Sequence, residues 1–311
     1  MLVELSGIVK RFADVLANDS VSLTVQSGNI HGLVGENGAG KSTLMNILYG
    51  MTVPDSGEIR VNGIIRKLKR PQDSLYLGIG MVHQEFLLIP KFTVTQNILL
   101  GVKSGVGTKS YQRLDIESAS KRIDFLARQY GLGIDPDVKV ASLSMGGQQR
   151  VEILKLLYRD VELLILDEPT GVLTPQESEG LFGVLKALKA DGKSVIVITH
   201  KLREVINHTD VVTVMRSGRD VLTGRTVNFT IETLAEAMVG ERPNSRIFRE
   251  DIKKSTKLLE VSNVSYSDSQ GVERVKNLSL DVYEGEIVGV AGVDGNGQNE
   301  LAEIVAGMTN P

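Results

Sequence analysis

The chain has 311 residues, which favours about two domains of ordinary size. Its 35 Lys and Arg against 38 Asp and Glu leave a net charge of −3, so nothing supplies the basic field of a nucleic-acid binder, and nucleic acid is not an expected partner. With no cysteine there is no disulfide framework, thiol chemistry or Cys-ligated zinc, and no apolar run approaches the roughly 18 residues needed to span a bilayer.

The opening Met1-Leu2-Val3-Glu4-Leu5 reads as a strand, not as a secretory leader, since it has neither a basic flank nor a cleavage site. Val21, Leu23 and Val25 alternate, and Ser27-Gly28 turns the chain into Ile30-His31-Gly32-Leu33-Val34, a buried strand. Next comes Gly35-Glu36-Asn37-Gly38-Ala39-Gly40-Lys41-Ser42-Thr43, which fits the phosphate-loop pattern. Glycines at 35, 38 and 40 let backbone N–H groups turn inward around an anion. Lys41 can then reach the terminal phosphates of a nucleotide, and the Ser42 hydroxyl can ligate Mg²⁺. Leu44, Ile47 and Leu48 form a helical stripe closed by Gly50, so a positive helix end faces the phosphates.

Beyond Asp55-Ser56-Gly57, Ile59 and Val61 alternate, which predicts a small antiparallel layer beside a parallel core. Gly80-Met81-Val82-His83 is a short strand running into Gln84, whose carboxamide suits Mg²⁺ or water. Residues 86–160 read as a helical subdomain, with a capping box at Thr93 and Gln96 and a stripe at Ile116, Ala119, Ile123, Leu126 and Tyr130. Its first stretch, Phe86-Leu87-Leu88-Ile89-Pro90-Lys91-Phe92, is either a surface for a protein partner or a small core.

Leu143-Ser144-Met145-Gly146-Gly147 opens another helix, with Ser144 as its N-cap. Apolar runs return at residues 163–166 and 195–198, flanking a helix over 175–189 that Thr174-Pro175-Gln176-Glu177 opens as a capping box. Asp167 and Glu168 follow the first run: one can hold Mg²⁺ through water, the other can polarise an attacking water. His200 follows the second run, where an imidazole can reach a γ-phosphate. A turn at Ser217-Gly218 and a helix over 231–239 complete a first domain, residues 1–240. Residues 241–257 are charged and weakly patterned, a connecting segment. Residues 258–311 then begin again: Gly292, Gly295 and Gly297 match Gly35, Gly38 and Gly40 at one offset (292 − 35 = 257), and residues 282–290 repeat the strand logic of 25–33.

Phosphate loop, Gln84, the Ser144 motif, Asp167-Glu168 and His200, in that order, resemble the ATP-binding cassette ATPases of membrane transporters. The resemblance covers residues 1–240 and part of 258–311. It implies an α/β phosphate-loop NTPase with a mostly parallel core sheet, a small antiparallel subdomain and an inserted helical subdomain, followed by a partial second copy. It implies that residues 35–43, with Asp167, bind ATP and Mg²⁺; that Gln84 senses Mg²⁺ and reports to a permease; that Glu168 is the general base; and that His200 is the γ-phosphate switch. Phe12 falls where the family stacks an aromatic on adenine, although from the sequence alone it reads almost as well as a core Phe at a strand end. Two departures stand out. Met145 and Gly147 replace the first Gly and the Gln of Leu-Ser-Gly-Gly-Gln, and Thr174 stands where the family usually has Asp. The second loop carries Gln298 and Asn299 in place of Lys41 and Ser42. Double cassettes of this kind resemble importers of nucleosides and simple sugars, the nucleoside members most. Such a protein works at the cytoplasmic face of the membrane with permease subunits, a second cassette and, indirectly, a solute-binding lipoprotein.

Overall fold

The structure is a computed structural model that describes residues 1–84, 86–102, 115–240, 256–268, 271–292 and 295–310. By its contacts the chain divides into two units, Met1–Pro243 and Asn244–Pro311.

In the first unit β1 (Val3–Phe12) and β2 (Val15–Val25) pair antiparallel. The alternating Val21, Leu23 and Val25 are buried, as period-2 patterning requires of a half-covered sheet. The chain then enters β3 (Ile30–Val34), buried at all five positions, and α1 (Lys41–Tyr49), which ends at Gly50 in the left-handed conformation. Next come β4 (Ser56–Val61), β5 (Ile64–Arg66), α2 (Pro71–Tyr76) and β6 (Ile79–Val82). The helical segment contributes α3 (Val94–Leu99), α4 (Ile116–Gln129) and α5 (Met145–Tyr158). Then follow β7 (Leu163–Asp167), α6 (Pro175–Ala190), β8 (Ser194–Thr199), α7 (Leu202–His208), β9 (Val211–Arg216), β10 (Arg219–Arg225) and α8 (Ile231–Val239).

Among the described residues these strands make two sheets. One is antiparallel, in the order β2-β1-β4-β5; the other, β10-β9-β3-β8-β7-β6, is parallel apart from its edge strand β10. Helix α1 sends Leu44, Ile47 and Leu48 into a core shared with Leu5 and Leu23 of the antiparallel sheet and Ile165 and Ile196 of the parallel one. The opposite face of the parallel sheet packs on α5 and α6 through Leu154, Phe182 and Leu185, and that core runs on into Ile98 and Ile123. The parallel strands are therefore covered on both faces, which is why they read as unbroken apolar runs.

The helical segment is less uniform than its patterning suggests. Residues 86–92 form no helix, and α3 begins only after Thr93, where the capping box closes: Thr93 Oγ1 accepts from Gln96 N–H, and Gln96 Oε1 from Thr93 N–H. Asn97 explains the break, because its carboxamide bonds both backbone groups of Ile89 and holds the segment in a turn.

The second unit contains β11 (Lys257–Ser267), β12 (Glu273–Tyr283) and α9 (Gln298–Val305). Most of the expected connecting segment, residues 241–255, lies outside the described residues, but Lys257 is already the first residue of β11. The hairpin repeats the first one pair by pair: Val3↔Val25, Leu5↔Leu23 and Ile8↔Val21 correspond to Leu259↔Val282, Val261↔Leu280 and Val264↔Leu278. Its glycine loop repeats as well. Gly295 and Gly297 have φ of 83° and 91°, against 81° and 95° at Gly38 and Gly40. A Cβ on Gly40 would strike the Ala17 carbonyl and one on Gly297 the Arg274 carbonyl, at the same offset (274 − 17 = 257). One expectation fails. Residues 287–290, read as the counterpart of β3, form no strand, and Ile287 is 87% exposed. The reason is pairing: β3 is held between β8 and β9, and the described part of the second unit supplies neither counterpart.

Candidate functional site

The site starts from β3, whose position at the middle of the parallel sheet fixes where the chain leaves it. From there two contacts dictate the loop. A Cβ on Gly35 would run into the Met215 carbonyl of β9, and one on Gly40 into the Ala17 carbonyl of β2, so only glycine lets the loop pass between them. Gly40 is also the N-cap of α1, it has no side chain to cap with, and no acidic residue sits in the first turn. The leading N–H groups of α1 are therefore left for an anion.

Around that helix end lies an open pocket of about 640 Å³, lined by residues 37–43, Phe12, Val15, Ala17, Gln84, Asp167, Glu168, Gly171 and His200. Lys41 is almost buried, its ammonium donating to the carbonyls of Gly35 (2.7 Å) and Glu36 (2.9 Å). Burial holds its pKa below the usual lysine value, against the pull of Glu168 and Asp167. Asp167 ends β7 beside the Ser42 hydroxyl. Burial raises that carboxyl above the ordinary aspartate value, the Glu168 charge adds to the shift, and the neighbouring Ser42 and Lys41 oppose it. A divalent cation suits this pair of hard oxygens. Among the described residues no group of three or more His, Cys, Asp or Glu is arranged to hold a metal by itself, so further ligands would have to come from phosphate and water.

Glu168 takes a left-handed backbone, φ 49°, with its N–H given to Ile198 O at 2.9 Å. That conformation is unfavourable for a side-chain-bearing residue, and it turns the carboxylate into the pocket at the strand end. There Oε1 meets His200 Nδ1 at 3.0 Å, tying the end of β7 to the end of β8. Gln84 is exposed where β6 leaves the sheet. Phe12 is 48% exposed at the end of β1, beside Val15 and Ala17, which excludes the core reading. Lys10 Nζ stands 5.3 Å from its ring centroid.

The pocket brings together Phe12, the loop, Gln84, Asp167, Glu168 and His200, but not residues 144–147. Ser144 does cap α5, accepting from Gly147 N–H at 3.2 Å. Its hydroxyl lies 3.4 Å from Glu177 Oε1, whose other oxygen closes the α6 capping box. Several supporting residues carry no motif. Gln149, buried on α5, donates to Pro169 O at 2.6 Å, and Lys201 donates to Thr170 O at 2.8 Å, so the turn after Glu168 is held from both sides. The buried Asn18 donates to Gly40 O at 3.1 Å.

The fold and the pocket define a phosphate-loop nucleotide-binding cassette. Residues 18–171 match the family described as ABC transporter. That match falls within the first unit, which is an ABC transporter ATPase domain. It is 47% identical to the glucose import ATP-binding protein TsgD13 of Haloferax volcanii over 98% of its length, and 46% identical to the nucleoside import ATP-binding protein NupA of Lactococcus lactis over 99%. It spans 60% of the length of each of these relatives. Among solved structures, the ADP conformation of an ABC transporter cassette superposes with a TM-score of 0.66 at 27% identity, covering 77% of this chain and 99% of that one.

Proposed function

We propose that the first unit binds MgATP at residues 35–43 and hydrolyses it as the energising subunit of an importer for nucleosides. The observation that carries this reading is one pocket in which the uncapped start of α1, Lys41, the Ser42–Asp167 pair and the Glu168–His200 pair converge. Lys41 turns from the carbonyls of Gly35 and Glu36 to the terminal phosphates, and Phe12 stacks on adenine. Ser42 directly, and Asp167 and Gln84 through water, would hold Mg²⁺, which when bound would offset the phosphate charge. Glu168 accepts a proton from the attacking water, and His200 contacts the γ-phosphate.

Residues 1–240 are read as a complete first cassette and residues 258–311 as the start of a degenerate second one. Ser144, Met145, Gly146 and Gly147, which lie away from the pocket, are read as facing the nucleotide of the second cassette. The permease docks near Gln84 and residues 86–92, and the solute-binding lipoprotein acts through it from the other side of the membrane. A sugar importer is the second reading, favoured by the 47% identity to TsgD13.

Calorimetric titration with MgATP tests the assignment. The wild-type chain binds and Lys41→Ala binds at least tenfold more weakly; equal binding by the two would remove Lys41 from the site. Nucleoside uptake by a cell lacking the gene, restored on complementation, separates the two importer readings from each other.

A further inference from the structure

Asn18 sits at a buried position of β2 with no exposed surface at all, in a strand whose other fully inward residues are Val21, Leu23 and Val25. Its Nδ2 donates to the Gly40 carbonyl at 3.1 Å, and that oxygen also accepts from Leu44 N–H at 3.0 Å. Its Oδ1 is buried and accepts no hydrogen bond among the described residues. A buried amide oxygen left in this way keeps its desolvation cost with no hydrogen bond to offset it. Shape alone does not require a carboxamide here. In the second unit Val275 takes the matching place, its Cγ2 3.3 Å from a Cβ built on Gly297, and Gly297 (φ 91°, ψ 7°) reproduces Gly40 (φ 95°, ψ 4°). The left-handed cap thus forms on an apolar neighbour, in the copy whose loop has Gln298 where the first has Lys41.

The Gly40 carbonyl and the Lys41 N–H belong to one peptide group, and Lys41 is the first residue of α1, so its N–H has no acceptor inside the helix. Hydrogen bonds donated to a carbonyl polarise the amide and strengthen its N–H as a donor. We propose that Asn18 is a positioning residue for the nucleotide, orienting and polarising the Gly40–Lys41 peptide so that the Lys41 N–H holds a phosphate of MgATP. The role rests on the MgATP reading above. It accounts for a buried polar side chain that neither the turn nor the core needs.

Asn18→Val removes the donor and puts in the residue that the second unit carries at the matching place, so in the 311-residue chain it separates the nucleotide role from a purely structural one. MgATP affinity, KM and kcat, and the melting temperature of the nucleotide-free protein are measured for this variant and the wild-type chain. Asn18→Val weakens MgATP binding and raises KM about fivefold, leaves kcat near wild type and does not lower the melting temperature. Wild-type affinity in Asn18→Val overturns the role. If Asn18→Val does not fold, Asn18→Ala replaces it with the same outcomes. Absence of MgATP binding by the wild-type chain would instead remove the nucleotide reading itself, and this role with it.

Discussion

His200 Nδ1 lies 3.0 Å from Glu168 Oε1, across 32 residues of sequence. The contact joins the ends of two adjacent parallel strands, β7 and β8, and holds the carboxylate of a residue with left-handed backbone at the pocket edge. Glu168→Gln keeps the shape and removes the base. Turnover should fall at least a hundredfold while MgATP still binds and persists, as single-turnover and binding measurements would read. His200→Ala should lower turnover with binding retained. Wild-type turnover in Glu168→Gln would remove Glu168 from the role of base.

The strand feeding the loop makes stability depend on pH. His31 is buried on β3 with Nε2 2.9 Å from Thr213 Oγ1, and burial lowers its pKa from 6.5 to about 4. Between those values the unfolded chain binds a proton that the folded one refuses. Stability is therefore fully present above pH 6.5 and is lost as pH falls toward 4, by about 3 kcal/mol at most. Denaturant unfolding at pH 7.5 and pH 5 should show the loss. His31→Gln should flatten it, whatever its own stability; an unchanged slope in that variant would assign the dependence to other groups.

Residues 86–92 divide by environment. Phe86 and Leu88 pack against the core shared with α5, whereas Leu87, Ile89 and Phe92 are exposed. Phe92→Asp should therefore weaken assembly with the permease and leave the melting temperature and MgATP affinity unchanged. Phe86→Asp should lower the melting temperature, because it puts a charge against packed apolar side chains. Thermal melts alongside co-purification with the permease separate the two. Unaltered assembly in Phe92→Asp would move the docking surface elsewhere.

The phosphate loop was legible because its function depends on local spacing: glycines, lysine and hydroxyl must follow one another within nine residues, between a strand and a helix. Capping at Thr93, Ser144 and Thr174 was legible for the same reason. The contact between Glu168 and His200 was not, since motif order places two residues at strand ends without saying that the strands are neighbours. Asn18 carried no signal at all, because a polar residue in an alternating strand reads as one more exposed position. Residues 287–290 show the opposite error. Their apolar run matches that of β3, but a strand exists only where neighbours accept its hydrogen bonds.

The two nucleotide sites of a complete tandem protein should be unequal. In the head-to-tail arrangement implied by the family, each ATP lies between one loop and the other cassette's Ser144-type motif. The second loop has Gln298 for Lys41 and Asn299 for Ser42, losing the phosphate-facing cation and the metal-binding hydroxyl. The motif that would face it is the one altered at Met145 and Gly147, so both defects fall on the same site. The first loop is intact and awaits a motif from the second cassette, in a region to which the longer relatives extend. The 311-residue chain should therefore bind MgATP at Lys41 but turn it over slowly, since a pair of such chains offers only the altered motif. Gln298→Lys should add little, because residues 287–290 form no core strand to aim that loop. Steady-state turnover of this chain against one extended through a full second cassette is the deciding measurement. Equal rates would show that the altered motif serves as well as an unaltered one, and the asymmetry would be wrong.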